Sequence, residues 1–233
     1  MAPGLVLFDI DGTLLRRAGP HHREALEEAV FRVSGLAAGI DGIPVQGMLD
    51  RDIITVMLRR SGATLKQARA MLPEIMKRAQ SLYARRCPDL TDKTCPGARE
   101  ALERLRSNGL VLGLVTGNLS RIGWKKMERA GLKRHFRFGA FAEQAKSRSG
   151  LARLAIREAR RNGWIGRGAP VALVGDHPND VEAAKRNRIR SIAVTTGLSS
   201  AEELAARQPD YLLAGIHEVQ AEMVLGRPAR GPY

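Results

Sequence analysis

Gly4-Leu5-Val6-Leu7-Phe8-Asp9-Ile10-Asp11-Gly12-Thr13 is an apolar run that stops abruptly on two carboxylates one residue apart, followed by a glycine. A run without alternation is what a strand buried on both faces looks like. Side chains two apart along a strand share a face, so Asp9 and Asp11 point the same way unless the chain turns sharply between them. Two carboxylates at close quarters repel, and the pair implies either a cation between them or a shared proton. Mg2+ suits such a place, because it prefers hard oxygen ligands, takes few of them from protein, and neutralises a phosphate that approaches an acidic edge.

The same grammar recurs downstream. Leu110 to Val115 stops at Thr116-Gly117-Asn118, Pro170 to Val174 at Gly175-Asp176, and Ser191 to Val194 at Thr195-Thr196-Gly197. Between these runs lie helical spacings, at Ala98 to Ser107, Leu119 to Ala130, Leu151 to Arg161 and Asp180 to Arg186, several of them closed by a glycine. Strands alternating with helices predict an α/β fold, a Rossmann-like three-layer core with an open parallel sheet whose ligands bind outside the carboxyl ends of the strands. The stretch from Arg16 to Asp92 breaks the alternation, with helical segments at Glu24 to Val33, Asp52 to Arg60 and Leu65 to Arg85 and no strand between them. It reads as an inserted helical domain, 16–92, in a core made of 1–15 and 93–233. Gly, Pro and polar residues at Arg17 to Pro20 and Pro88 to Pro96 mark its hinges, and the tail from Gly226 is too rich in Gly and Pro to need a fixed structure.

Each strand end carries a group that could do chemistry. Thr116 offers a hydroxyl, with the following backbone amides pointing at the same anion and Gly117 allowing close approach; the same tripeptide also serves elsewhere as a turn or a helix cap. Asp176 can add a carboxylate to a cation held by Asp9, and Asp180 can support it or simply cap the helix it opens. Recurrence at several strand ends is what a shared catalytic edge requires.

Composition narrows the class. The net charge of +14 attracts anions, yet the excess is spread as Arg over helical stretches, with no basic arm or aromatic-interleaved stripe of the kind that would point to nucleic acid. Two cysteines, Cys87 and Cys95, lack the spacing of a zinc or redox pair, so no disulfide framework is expected. No stretch approaches membrane-spanning length, and the start lacks a basic leader, which predicts a cytoplasmic protein without a membrane partner.

Leu7-Phe8-Asp9-Ile10-Asp11-Gly12-Thr13-Leu14, Thr116-Gly117-Asn118 and Gly175-Asp176-His177-Pro178-Asn179-Asp180, in that order and spacing, resemble the haloacid dehalogenase superfamily, and most closely its phosphoglycolate-phosphatase-like members. The resemblance implies Asp9 as nucleophile and Asp11 as acid toward the leaving group, then base toward water. It implies Mg2+ held by the Asp9 and Asp176 carboxylates and the Asp11 carbonyl with Asp180 in support, and phosphate bound by Thr116 and the Gly117 and Asn118 amides. A basic residue that screens the nucleophile from phosphate is also implied; Arg148 is the first choice and Lys146 the second. Residues 16–92 become a cap that closes over the substrate, a small-molecule phosphomonoester such as phosphoglycolate or a sugar phosphate. Relatives often carry Lys after Gly47 and Thr before Asp50, where this chain has Met48 and Leu49, so substrate identity does not transfer. Asp50 and Asp52 are read as helix caps ahead of substrate contacts, and His21 and His22 as exposed loop residues ahead of a cap entrance. The alternatives are a phosphosugar mutase of the same superfamily and a catalytically weak relative that binds anions or nucleic acid; the chain is expected as a monomer or homodimer.

Overall fold

The computed structural model describes residues 1–16 and 19–226. The hinge residues Arg17 and Ala18 and the tail from 227 onward, both read above, lie outside them. The six strands are β1 (Leu5–Phe8), β2 (Val111–Val115), β3 (Phe138–Ala140), β4 (Val171–Gly175), β5 (Arg190–Val194) and β6 (Tyr211–Leu213). They form one parallel sheet in the order β3-β2-β1-β4-β5-β6. This is the doubly wound α/β arrangement, in which the strand order reverses beside β1.

Every residue of β1 is fully buried, because helices cover both faces of the sheet. Right-handed crossovers carry α4 (Ala98–Ser107) and α5 (Ser120–Arg129) to one face. They carry α6 (Arg148–Arg161) and α7 (Pro178–Arg186), which pack on each other, to the opposite face. In register, Phe8 lies beside Leu114 on one side and Val174 on the other, so Asp9, Thr116 and Asp176 all emerge just past the same edge. The sequence spacing and the strand pairing therefore agree on one place for the chemistry.

Between β1 and α4 the chain forms α1 (His21–Ser34), α2 (Asp50–Arg60) and α3 (Leu65–Arg86), packed on one another. Thr64 starts α3 with a reciprocal cap, its side chain accepting from the Gln67 amide while Gln67 accepts from the Thr64 amide. Their buried faces, among them Leu26, Ile54, Met57 and Ile75, join the same contiguous apolar core as the sheet.

Two strands escape the sequence reading, β3 and β6. Four helix starts also move by two residues or more, α1 opening at His21 rather than Glu24 and α2 at Asp50 rather than Asp52. α6 opens at Arg148 because Ser147 accepts from the Gly150 amide and so caps the helix three residues before Leu151. α7 opens at Pro178, a residue preset for the first helical position. The short α8 (Ala201–Ala205) and α9 (Ala221–Leu225) complete the chain. Cys87 and Cys95 are buried free thiols, and no helix of the described residues is long and apolar enough to cross a membrane.

Candidate active site

Past β1 the backbone continues its ladder for one residue, the Asp9 amide donating to the Val174 carbonyl at 3.0 Å, and then folds back. The Ile10 carbonyl accepts from the amides of Leu14 and Leu15, both at 2.9 Å, and Gly12 takes a φ of +87° to complete the turn. A side chain there would be strained and would also run into the Asp176 carboxylate. This is the sharp turn that forms the exception to Asp9 and Asp11 facing the same way. Their carboxylates diverge, and each finds its own cation.

Asp9 is 5% exposed and accepts from Arg148 Nη1 at 2.8 Å. The same nitrogen reaches the Val115 carbonyl at 3.3 Å, and Arg148 Nε lies 3.3 Å from Asp180 Oδ1. The Nε contact is an ion pair without hydrogen-bond alignment, so both of its buried atoms keep unused bonding capacity. Burial works against the Arg148 charge, but Asp180 and Asp9 outweigh it and push the pKa up, which keeps the guanidinium protonated. Lys146, the other candidate, is exposed. One residue before the Ser147 cap, it sits at the surface while Arg148 enters the first helical turn.

Asp176 and Asp180 approach from β4 and α7. One oxygen from each of Asp9, Asp176 and Asp180 lies within 4.8 Å of the others, and all three residues are buried. Burial, then repulsion from Asp9 and Asp180, drives the Asp176 pKa up to about 8, although Thr13 donates to its Oδ1 at 2.9 Å. Burial raises Asp180 to about 7 against the pull of Arg148, with Asp9 adding to the rise. Asp180 also accepts from the His177 amide at 3.2 Å, so it caps α7 and supports the cluster at once. Three carboxylates facing one guanidinium leave an excess of negative charge in a dry place, the condition a divalent cation relieves. The donor set, all oxygen, fits Mg2+.

Asp11 turns toward α5. Lys126 Nζ donates to both of its oxygens at 2.7 Å, and Asn118 Nδ2 to one of them at 2.8 Å. Desolvation pushes this carboxyl up, but the charges of Lys126 and His22 and the bonds from Lys126 and Asn118 prevail, leaving it below the usual carboxylate range. Lys126 is 1% exposed and also donates to Asn118 Oδ1 at 2.7 Å. Sequence reading missed this residue. Its signal was present: Lys126 falls in register with the buried stripe Ile122, Gly123 and Met127 of α5, a position where a lone charge needs a buried partner.

The insert closes the site from above. Asp50 opens α2, and it is also 3% exposed, accepting from the Leu119 amide at 2.8 Å and lying 3.0 Å from His22 Nε2. The Asp50 amide donates to the Gly117 carbonyl at 2.8 Å. His22 is a half-buried residue of α1 rather than a loop residue, with Nδ1 3.2 Å from Lys126 Nζ, and His21 likewise lies in the first turn of α1. Gly117 has no room for a side chain, because a Cβ would meet the Met48 carbonyl. Thr116 Oγ1 accepts from Asn118 Nδ2 at 2.7 Å, and Thr116, Gly117 and Asn118 share one cavity with Asp9, Asp11, Arg148 and Asp176.

A family model described as haloacid dehalogenase-like hydrolase matches residues 3–187. The chain belongs to that family. Among curated relatives, this hydrolase is 30% identical to the phosphoglycolate phosphatase of Synechococcus elongatus over 89% of its own length and 91% of the relative's. It is 24% identical to the phosphoglycolate phosphatase of Pseudomonas fluorescens, over 96% of its own length and 83% of the other's. It is an enzyme of the phosphatase type. Its fold is shared with CbbY from Rhodobacter sphaeroides in complex with phosphate, at a TM-score of 0.69 and 21% identity over 94% of this chain and 96% of that one. The β-phosphoglucomutase from Clostridium difficile superposes with a TM-score of 0.68 at 16% identity, over 95% of each chain.

Proposed function

We propose that this hydrolase removes the phosphoryl group from a small-molecule phosphomonoester through an aspartyl-phosphate on Asp9, with Mg2+ as cofactor. The observation that carries this reading is the buried convergence of Asp9, Asp176 and Asp180 on Arg148 at the carboxyl edge of the sheet. Asp9 and Asp176 would hold the ion with the Asp11 carbonyl, and Asp180 would support it. Bound there, Mg2+ supplies positive charge that lets a phosphate dianion approach an acidic edge.

The chain's own groups account for the rest. Asp9 Oδ attacks phosphorus while the bond to the ester oxygen breaks, and Arg148 faces the equatorial oxygens. Thr116 and the amides after it hold the phosphate. Asp11, as Lys126 and Asn118 hold it, is set as a base for the second step, taking a proton from the water that attacks phosphorus and frees Asp9. To protonate the departing alkoxide in the first step, Asp11 must carry a proton, which the entry of the ester oxygen between Asp11 and Lys126 would allow. Residues 16–92 would act as the cap that excludes water. The buried free thiols suit a reducing, cytoplasmic setting.

Phosphate release from a panel of phosphomonoesters, with Mg2+ and with EDTA, tests this in wild type and Asp9→Asn. Metal-dependent turnover that the substitution abolishes is expected, with 32P retained on acid-quenched wild-type protein. Turnover that survives Asp9→Asn would sink the aspartyl-phosphate route.

A further inference from the structure

We infer that the alcohol this enzyme releases has an apolar body, an alkyl or aryl-alkyl group, rather than the carboxylate of glycolate or the hydroxyls of a sugar. The inference rests on the phosphatase reading above and concerns the part of the cavity beyond the phosphate. That cavity measures about 1020 Å³ and runs from the catalytic carboxylates up to the insert. Known small-molecule sites span roughly 300–1,000 Å³, so there is space for a leaving group well larger than glycolate.

From the insert, Leu26, Ile40, Val45, Met48 and Ile53 line the cavity, with the polar His22, Arg23, Gln46 and Asp50 among them. Leu26 and Ile53 are 2% and 6% exposed, and Ile40, Val45 and Met48 are half-buried. Met48 lies against Gly117 through its backbone carbonyl. A leaving-group carboxylate would need a cation on this side, and of the four Lys and Arg residues lining the cavity all but Arg16 already have an acidic partner. Arg23 binds Glu27 at 2.9 Å and Asp41 at 2.6 Å, and Lys93 binds Asp92 at 2.8 Å. Arg148 is held by Asp9, and Arg16 stands exposed with a contact of 3.4 Å to the Asp92 carbonyl. Sugar hydroxyls would face the same apolar side chains and lose their water without replacement. His22 and Asp50, two of the polar groups on the insert's side of the cavity, already face each other at 3.0 Å, and Gln46 is a third. An apolar body loses nothing there and gains from each methylene taken out of water.

The test is a series of unactivated esters, whose leaving alcohols differ little in acidity: methyl, propyl and hexyl phosphate and benzyl phosphate, against 2-phosphoglycolate and glucose 6-phosphate, all with Mg2+. The expected result is kcat/KM rising about fourfold per methylene until the wall is covered. Hexyl or benzyl phosphate should exceed both 2-phosphoglycolate and glucose 6-phosphate by at least tenfold. Met48→Lys, which sets a cation on the wall, should lower kcat/KM for benzyl phosphate and raise it for 2-phosphoglycolate. Asp9-dependent turnover led by 2-phosphoglycolate or glucose 6-phosphate, or a flat alkyl series, overturns the apolar assignment and leaves the phosphatase reading standing. No Asp9-dependent turnover of any ester overturns both.

Discussion

Arg148 serves two carboxylates with two different nitrogens, Asp9 through Nη1 and Asp180 through Nε, and a lysine has one nitrogen to offer both. Arg148→Lys is therefore expected to lower kcat/KM by about 100-fold or more in steady-state assays. Arg148→Ala leaves three buried carboxylates with no counter-charge, at a cost of about 3–5 kcal/mol. Denaturant melts with and without Mg2+ check this, the loss being smaller with the ion present. Lys126→Met keeps the volume of a buried chain and removes the charge that Asp11 faces. Here kcat should fall about 100-fold, with any change in KM smaller, because Lys126 holds Asp11 by two bonds and the Asn118 side chain by one, while the backbone amides assigned to phosphate stay in place. A KM effect with unchanged kcat would contradict that assignment. At this scale legibility followed position. Asp9, Thr116 and Asp176 interrupt apolar runs and could be read from the chain, whereas Lys126 finds its partner 115 residues away and becomes meaningful only once α5 is docked.

At the scale of elements, the insert meets the core at several places, among them Asp50, whose amide donates to the Gly117 carbonyl and whose carboxylate accepts from the Leu119 amide. Asp50→Ala removes a buried acceptor and leaves the Leu119 amide and His22 without it. A loss of about 1–3 kcal/mol is expected in denaturant melts, with cleavage near the hinges by a dilute protease rising in step. Gly117→Ala forces the Met48 carbonyl away, so the insert should seat poorly and KM should rise while the melt changes little. The long buried strands and most helices could be read from the sequence because apolar runs and helical periods persist over enough residues to show. β3 and β6 could not. Each has three residues, too few for any period, and they are the two edge strands of the sheet, where short lengths protect against unwanted pairing. Asp50 was read as a helix cap, but Leu49 holds the cap position of α2 with no side-chain cap bond, and the carboxylate of Asp50 goes instead to partners on another element that left no local trace.

For the molecule as a whole, the acidic edge sets a pH dependence. Unfolded, Asp176 and Asp180 have an ordinary pKa of 3.8; folded without a metal they rise to about 8 and about 7. The folded state thus keeps protons that the unfolded chain has released, and stability from these groups is full below about pH 4 and declines as pH rises toward 8. In EDTA the Tm should fall from about pH 5 to about pH 8, and saturating Mg2+ should raise the Tm most at the alkaline end, where the ligands are already deprotonated. His135 and His177, whose pKa burial lowers, act in the opposite sense over part of that interval, so the check is the difference between wild type and Asp176→Asn in EDTA; a difference that does not change between about pH 5 and about pH 8 would refute the raised pair. The chain leaves the sheet region beside the point where it returns. Leu15 bridges to Thr94 in antiparallel fashion, the Arg16 amide donates to the Lys93 carbonyl at 2.8 Å, and the Cys95 amide donates to the Leu14 carbonyl at 2.9 Å. Entry and exit that touch make the insert a cassette. If residues 16–92 act as a cap, those between these crossings that make no bond to the core would tolerate exchange without moving either flanking end, and the lining that meets the leaving group would diverge while the carboxylates beneath it stay where they are.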